Sequence, residues 1–223
     1  LRPRIGLESW QALLADPTKH WKPGYSAHAL ASAWERASGR FPLEGRDLLN
    51  SARDRQVRDL KLLLALPEWK VYMGHPSQND LFVLARSRHG LAAIMVEGKV
   101  AETFGPTLEK WLEQPTPGKL KRLCFLKRKL GLEFDLPGSI RYQLLPHVRP
   151  DGSGTVPRSR GGDAGAVLPH GLIWLEVYQA FLALFGIQDD APGRLYRLPH
   201  PGTPALFCGR ATGSVSDSEN PRP

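Results

Sequence analysis

Two short apolar runs constrain this chain more than any other feature. Leu81-Phe82-Val83-Leu84-Ala85 and Leu91-Ala92-Ala93-Ile94-Met95-Val96 flank the cluster Ser87-Arg88-His89-Gly90. Runs of this length, bounded by a turn cluster that ends in Gly, read as a hairpin of buried strands. The turn contains no Asn-Gly or Asp-Gly pair, so a four-residue connection is expected rather than a tight two-residue one. With the turn centred between Arg88 and His89, residues whose numbers add to 177 face each other, which sets Asp80 opposite Glu97. Directly opposed Cβ atoms stand about 4.5–5.5 Å apart. Side chains alternate along a strand, so Glu97 and Lys99 share a face while Gly98 points away.

The rest of the chain supplies helices around this hairpin. Leu7, Trp10, Leu13 and Leu14 mark a short helix over 7–16, ended by Asp16-Pro17. Ser26 is expected to cap a helix reaching about Ser38, with Leu30, Ala33, Trp34 and Ala37 on one face and Gly39 as its stop. Residues 44–66 read as helical, charged up to Asp59 and apolar from Leu60 to Leu66, with Pro67 ending the run and a short strand over 69–73. Further on come a short helix over 107–113 and a basic amphipathic helix over 118–130 with Leu120, Leu123, Cys124 and Leu130 inward. A strand is expected over 140–145, a Gly/Pro/Ser/Arg-rich loop over 146–165 and a strand over 166–168. A helix over 174–185 stopped by Gly186 and an edge strand over 205–208 complete the series. The fold class is therefore α/β, a mixed β-sheet flanked by helices. Residues 1–66 form the helical part of one domain, 67–210 its α/β core, and 211–223 a tail of disordered composition.

A length of 223 residues suits one sizeable domain, and 41% hydrophobic with 23% charged residues excludes wholesale disorder. No apolar run approaches the roughly 18 residues that span a bilayer. The start lacks the order of a signal peptide, and Cys124 and Cys208 stand far apart, so a cytoplasmic address without disulfides is expected. The formal charge of +8 favours a polyanionic partner, of which nucleic acid is the commonest. No Gly-rich phosphate loop, zinc motif or serine nucleophile elbow occurs.

Two neighbouring carboxylates repel each other, and a divalent cation between them removes that cost. An oxygen-only set with one or two carboxylates suits Mg²⁺ or Mn²⁺, which keeps waters and takes substrate phosphate oxygens as further ligands. An ammonium beside the pair, Lys99, can orient or deprotonate a water and balance charge on phosphorus. Gly98 leaves room for its carbonyl to reach the metal. The opposing reading is a surface salt-bridge cluster of Glu97, Lys99 and Glu102 at a strand end.

The order Asp80, hairpin, Glu97-Gly98-Lys99 resembles the PD-(D/E)XK nuclease superfamily, with Asn79 standing where that pattern has Pro. The resemblance implies a restriction-endonuclease-like core and Mg²⁺- or Mn²⁺-dependent hydrolysis of phosphodiesters, with DNA as the expected partner. It gives Asp80, Glu97 and Lys99 as catalytic residues, with Asp80, Glu97 and Gly98 at the metal. More widely the chain is similar to a family of uncharacterised bacterial proteins over Trp21-Lys22-Pro23-Gly24-Tyr25-Ser26-Ala27, residues 77–86 and 96–100, Phe104-Gly105-Pro106-Thr107 and Arg141-Tyr142-Gln143-Leu144-Leu145. Glu35, on the helix before the sheet, is a possible accessory carboxylate or a solvated helix residue. Gln143 is either a group touching the site or a buried structural amide. Lys119, Lys121, Arg122, Lys127 and Arg128 form either a phosphate-contacting face or a solvated one. A catalytically inactive nucleic-acid-binding or protein-interaction module on the same fold is the alternative to a nuclease. At Pro150-Asp151-Gly152-Ser153-Gly154-Thr155-Val156 the chain departs from the similar family, which fits a local frame shift between about residues 146 and 165.

Overall fold

The computed structural model describes residues 6–71, 77–100, 104–147, 175–188, 191, 193–199 and 205–213. The expected strand over 166–168, most of the loop over 146–165 with its suspected frame shift, and nearly all of the tail lie outside them.

The N-terminal part is helical. Helix α1 (Leu7–Leu13) lies within the span expected over 7–16 and stops short of its end, and α2 (Pro17–His20) is a further short helix beyond it. Asp16 starts α2, since its carboxylate accepts the Lys19 N–H at 3.1 Å and Pro17 occupies the first turn. Helix α3 (Ser26–Arg36) follows, with Tyr25 rather than Ser26 at the cap position, and then α4 (Leu43–Asn50) and a 3₁₀ turn (Arg55–Val57). Trp10 Nε1 donates to Glu35 Oε1 at 2.8 Å and ties α1 to α3.

Strands β1 (Lys61–Val71), β2 (Ser77–Ser87) and β3 (Gly90–Val96) form an antiparallel sheet in that order. The β2–β3 register runs from Leu81↔Val96 to Ser87↔Gly90, so every pair adds to 177 as expected. The turn differs from expectation: Ser87 pairs with Gly90, leaving a two-residue loop of Arg88 and His89. Gly90, the first residue of β3, carries a φ of 143° that favours glycine.

Strand β1 overturns the helix expected through Leu66. A continuous apolar run carries no period that separates helix from strand. Pro67, read as a helix stop, pairs with Leu81 on the sheet edge, where a missing N–H is tolerated. A bulge between Leu62 and Leu64 leaves the Leu63 side chain exposed. The expected strand over 140–145 is also absent. Ile140, Leu144 and Leu145 are buried at turn-like spacing, Thr107↔Arg141 forms an isolated bridge, and the chain enters α7 (Leu144–His147).

Helices α5 (Leu108–Leu112), α6 (Pro117–Leu130) and α8 (Leu175–Ala183) and a two-stranded antiparallel sheet of β4 (Leu195–Arg197) and β5 (Phe207–Gly209) complete the described elements. Both sheets are antiparallel, so no mixed sheet is found among the described residues. The protein is α/β in the sense that helices pack on antiparallel sheets. One core joins α3, α4 and the Leu81, Val83, Ile94 and Val96 face of the hairpin. A second gathers Phe104, Leu126, Leu130, Leu145, Tyr178 and Phe181. The β4–β5 hairpin contributes to both: Leu195 and Phe207 to the first, Leu198, Leu206 and Cys208 to the second.

Candidate active site

The β2–β3 ladder ends at Leu81↔Val96, and Asp80 and Glu97 take the next positions at its open end. Asp80 is half-buried, and its Oδ2 accepts the Gly98 N–H at 2.7 Å. Glu97 is 2% exposed and Lys99 6%. Lys99 Nζ stands 2.5 Å from Glu97 Oε1. Gln143 Nε2 donates to the same oxygen. Lys99 also lies over the buried Phe104 ring, 5.4 Å from its centroid. Glu97, Lys99 and Gln143 thus meet at one carboxylate oxygen, while Asp80 is fastened to the residue between the first two.

Burying two ions costs several kcal/mol each, and only close geometry with additional hydrogen bonds offsets it. Gln143 supplies such a bond. The burial also rules out a surface salt-bridge cluster for Glu97 and Lys99; Glu102 lies outside the described residues. A Cβ on Gly98 would stand 3.5 Å from Asp80 Oδ2, 3.5 Å from Ser26 O and 3.6 Å from Leu30 Cβ, so the first turns of α3 are seated against this strand. A helix N-terminus favours negative charge nearby, which suits Asp80.

Gln143 reaches Glu97 from the turn before α7, not from a strand. Tyr142 N–H donates to Pro106 O at 3.1 Å and the Arg141 guanidinium to Gly105 O at 2.8 Å, so residues 141–143 are held on the segment after Lys99. Glu35 is not part of this group. Its bond to Trp10 makes it a tie between helices, nine residues and about 13 Å along α3 from Ser26. Sequence reasoning did not single out Phe104 or Asn79. Asn79 is 1% exposed and its amide donates to Met95 Sδ at 3.4 Å. Phe104 lies in one of the stretches that carry the resemblance; Asn79 carries no signal beyond standing in place of Pro.

Helix α6 presents part of the expected face, with Leu130 buried and Leu123 packed against the second core. Leu126 and Leu130 are buried, whereas Leu120 is 51% exposed and Cys124 is exposed. Lys119 Nζ donates to Trp111 O at 2.7 Å and Gln114 O at 3.0 Å, and Lys127 pairs with Asp135 at 3.5 Å. Arg122 lies over the Tyr142 ring, which stacks on Trp111 at 3.9 Å. Burial raises the Tyr142 pKa above its ordinary 10.0, with Arg122 opposing it. Of the five residues expected to contact phosphates, Lys121 and Arg128 remain exposed; Lys119, Arg122 and Lys127 engage their own chain.

A family model described as a domain of unknown function, DUF6946, matches residues 3–150, well over half of the chain. The chain belongs to the DUF6946 family. No curated protein and no solved structure matches it. The DUF6946 match takes in Asp80, Glu97, Lys99 and Gln143 and leaves out α8, β4 and β5. Among the described residues no helix of this DUF6946 protein is long and apolar enough to cross a membrane, and no three His, Cys, Asp or Glu side chains gather as a metal site.

Proposed function

We propose that this protein is a metal-dependent phosphodiesterase on a restriction-endonuclease-like core, with DNA as its substrate. The observation that carries the reading is the buried lysine on Glu97, at a strand end where Asp80 holds the adjacent register position. Asp80 and Glu97 would hold Mg²⁺ or Mn²⁺, which when bound supplies Lewis-acid polarisation of a phosphate oxygen. Lys99, as an ammonium, orients the attacking water and offsets the negative charge that grows on phosphorus. The water oxygen bonds to phosphorus and gives up a proton to solvent, the P–O bond to the leaving nucleotide breaks, and the leaving oxygen takes a proton from solvent. Gln143 fixes the Glu97 carboxylate, and the first turn of α3 favours the anionic side of the site.

One observation favours a second reading: Glu97 is so buried, with Lys99 and Gln143 on one oxygen, that the group serves equally as an internal strut of an inactive binding module. Two measurements separate the readings. Cleavage of supercoiled plasmid in Mg²⁺ should fall at least about a hundredfold in Asp80→Asn, as for loss of a principal catalytic group. Mn²⁺ binding followed by electron paramagnetic resonance should weaken in parallel. Cleavage that persists in excess chelator, or in Asp80→Asn, overturns the nuclease reading; absence of both cleavage and Mn²⁺ binding selects the strut.

A further inference from the structure

A cavity of about 680 Å³ opens at the other end of the hairpin, among Arg55, Arg58, Lys61, Arg86 and Arg88, with Asp59 its one carboxylate. Hydrogen bonds tie together the backbone segments that carry it. Asp54 caps the 3₁₀ turn by accepting the Gln56 N–H at 2.9 Å, and Ser87 Oγ donates to Gln56 O at 3.1 Å, fastening the hairpin turn to that segment. Arg58 Nε donates to Ala52 O, and the Asp59 N–H to Asn50 Oδ1 at 3.2 Å. The bulge in β1 turns Leu63 into the lining. Among the described residues Arg55, Lys61 and Arg86 are in no ion pair, and all three are exposed. Cations lining one cavity repel one another, so an anion carrying several charges would relieve the arrangement.

Arg86 stands on β2 at the end of the hairpin away from Asp80. Six residues separate them, about 20 Å at strand rise. The same length of duplex covers about six base pairs at 3.4 Å each. The cavity stands at the opposite end of the hairpin from the candidate site, and most of the cations of α6 are taken up by their own chain.

We infer that this cavity binds the phosphodiester backbone of nucleic acid and is the protein's principal phosphate contact. The identity of the ligand rests on the proposed function; the binding itself does not require turnover.

The test is fluorescence anisotropy of a labelled DNA duplex titrated with the full chain in excess chelator, at several salt concentrations. The variants are Arg55→Ala/Arg86→Ala/Arg88→Ala and, as a control, Lys121→Ala/Arg128→Ala. All five side chains are exposed, and circular dichroism checks the fold. The triple variant should lose about a hundredfold in affinity, with a log–log salt slope shallower by about 2–3 units, since each neutralised phosphate contributes about −0.9. The α6 variant should change little. A triple variant with unchanged affinity and slope overturns the inference. So does wild-type protein that binds ATP in the cavity but no duplex, which marks a site for compact polyphosphates. Binding lost in the triple variant with no Mg²⁺-dependent cleavage by wild type sinks the nuclease reading alone. Cleavage with binding unchanged in the triple variant sinks the cavity alone.

Discussion

Removing the Lys99 ammonium while leaving Glu97 in place should be among the most damaging single changes in this protein. The pair is 2.5 Å apart, with side-chain exposures of 7% and 2%, so water cannot replace the lost partner. Coulomb's law at an effective dielectric near 20 gives a gross attraction of roughly 7 kcal/mol, much of it offset by desolvation. Breaking such a pair from one side costs about 3–5 kcal/mol, because the other charge stays buried. Against a total stability of about 5–15 kcal/mol, that is a third or more. Lys99→Met keeps the length of the side chain and removes the charge. Urea unfolding followed by circular dichroism, extrapolated linearly to water at constant slope, should show the loss. The double variant Glu97→Gln/Lys99→Met should recover to within about 1–2 kcal/mol of wild type, because no uncompensated ion remains. A single variant costing less than about 1 kcal/mol, or a double variant as unstable as the single, would refute the reasoning.

Gln143→Leu should destabilise the fold by about 1.5–3 kcal/mol, the range for a hydrogen bond to a charged group, and a loss under half of that in the same assay counts against its role on Glu97. The folded-state pKa of Tyr142 lies above its ordinary 10.0, so its share of stability is intact below pH 10 and is lost as pH rises through the folded value. Tyr142→Phe should accordingly flatten the alkaline fall in melting temperature, and identical alkaline slopes would contradict the burial. A Cβ on Gly209 would stand 2.7 Å from Leu195 Cδ1 and 3.1 Å from Arg194 O. Gly209→Ala should therefore cost about 1–3 kcal/mol by overpacking, and a neutral result in urea melts would show that β4 shifts freely.

The hairpin was legible because its two apolar runs can be buried together in few registers, and a slip by one residue would turn Leu81, Val83, Ile94 and Val96 out of the core. The same register brought Asp80, Glu97 and Lys99 to one end from residue numbers alone. Where the sequence misled, the local signal had two physical meanings. The run from Leu60 to Leu66 suits a helix or an edge strand, and only pairing with β2 decides between them. Pro67 forbids a helix interior and a central strand but not an edge. The Lys and Arg residues of α6 look solvated in sequence, yet Trp111, Gln114, Asp135 and Tyr142, which occupy several of them, come from other segments. Gln143 falls in the run expected as a strand and reaches Glu97 from a turn, because Gly105 and Pro106 hold the backbone beside it.

The hairpin of β4 and β5 has a consequence for synthesis. Its alternating residues, Phe207 toward one core and Cys208 toward the other, lie some sixty positions beyond the end of the DUF6946 match at residue 150. Every candidate catalytic group has left the ribosome before this strap exists. At about 5–20 residues per second, the interval lasts roughly 3–12 s. During it the apolar faces of both cores lack their last covering, and the nascent chain is a natural client for chaperones. A chain cut after residue 150 would remain in that condition, with its site residues present and neither core closed.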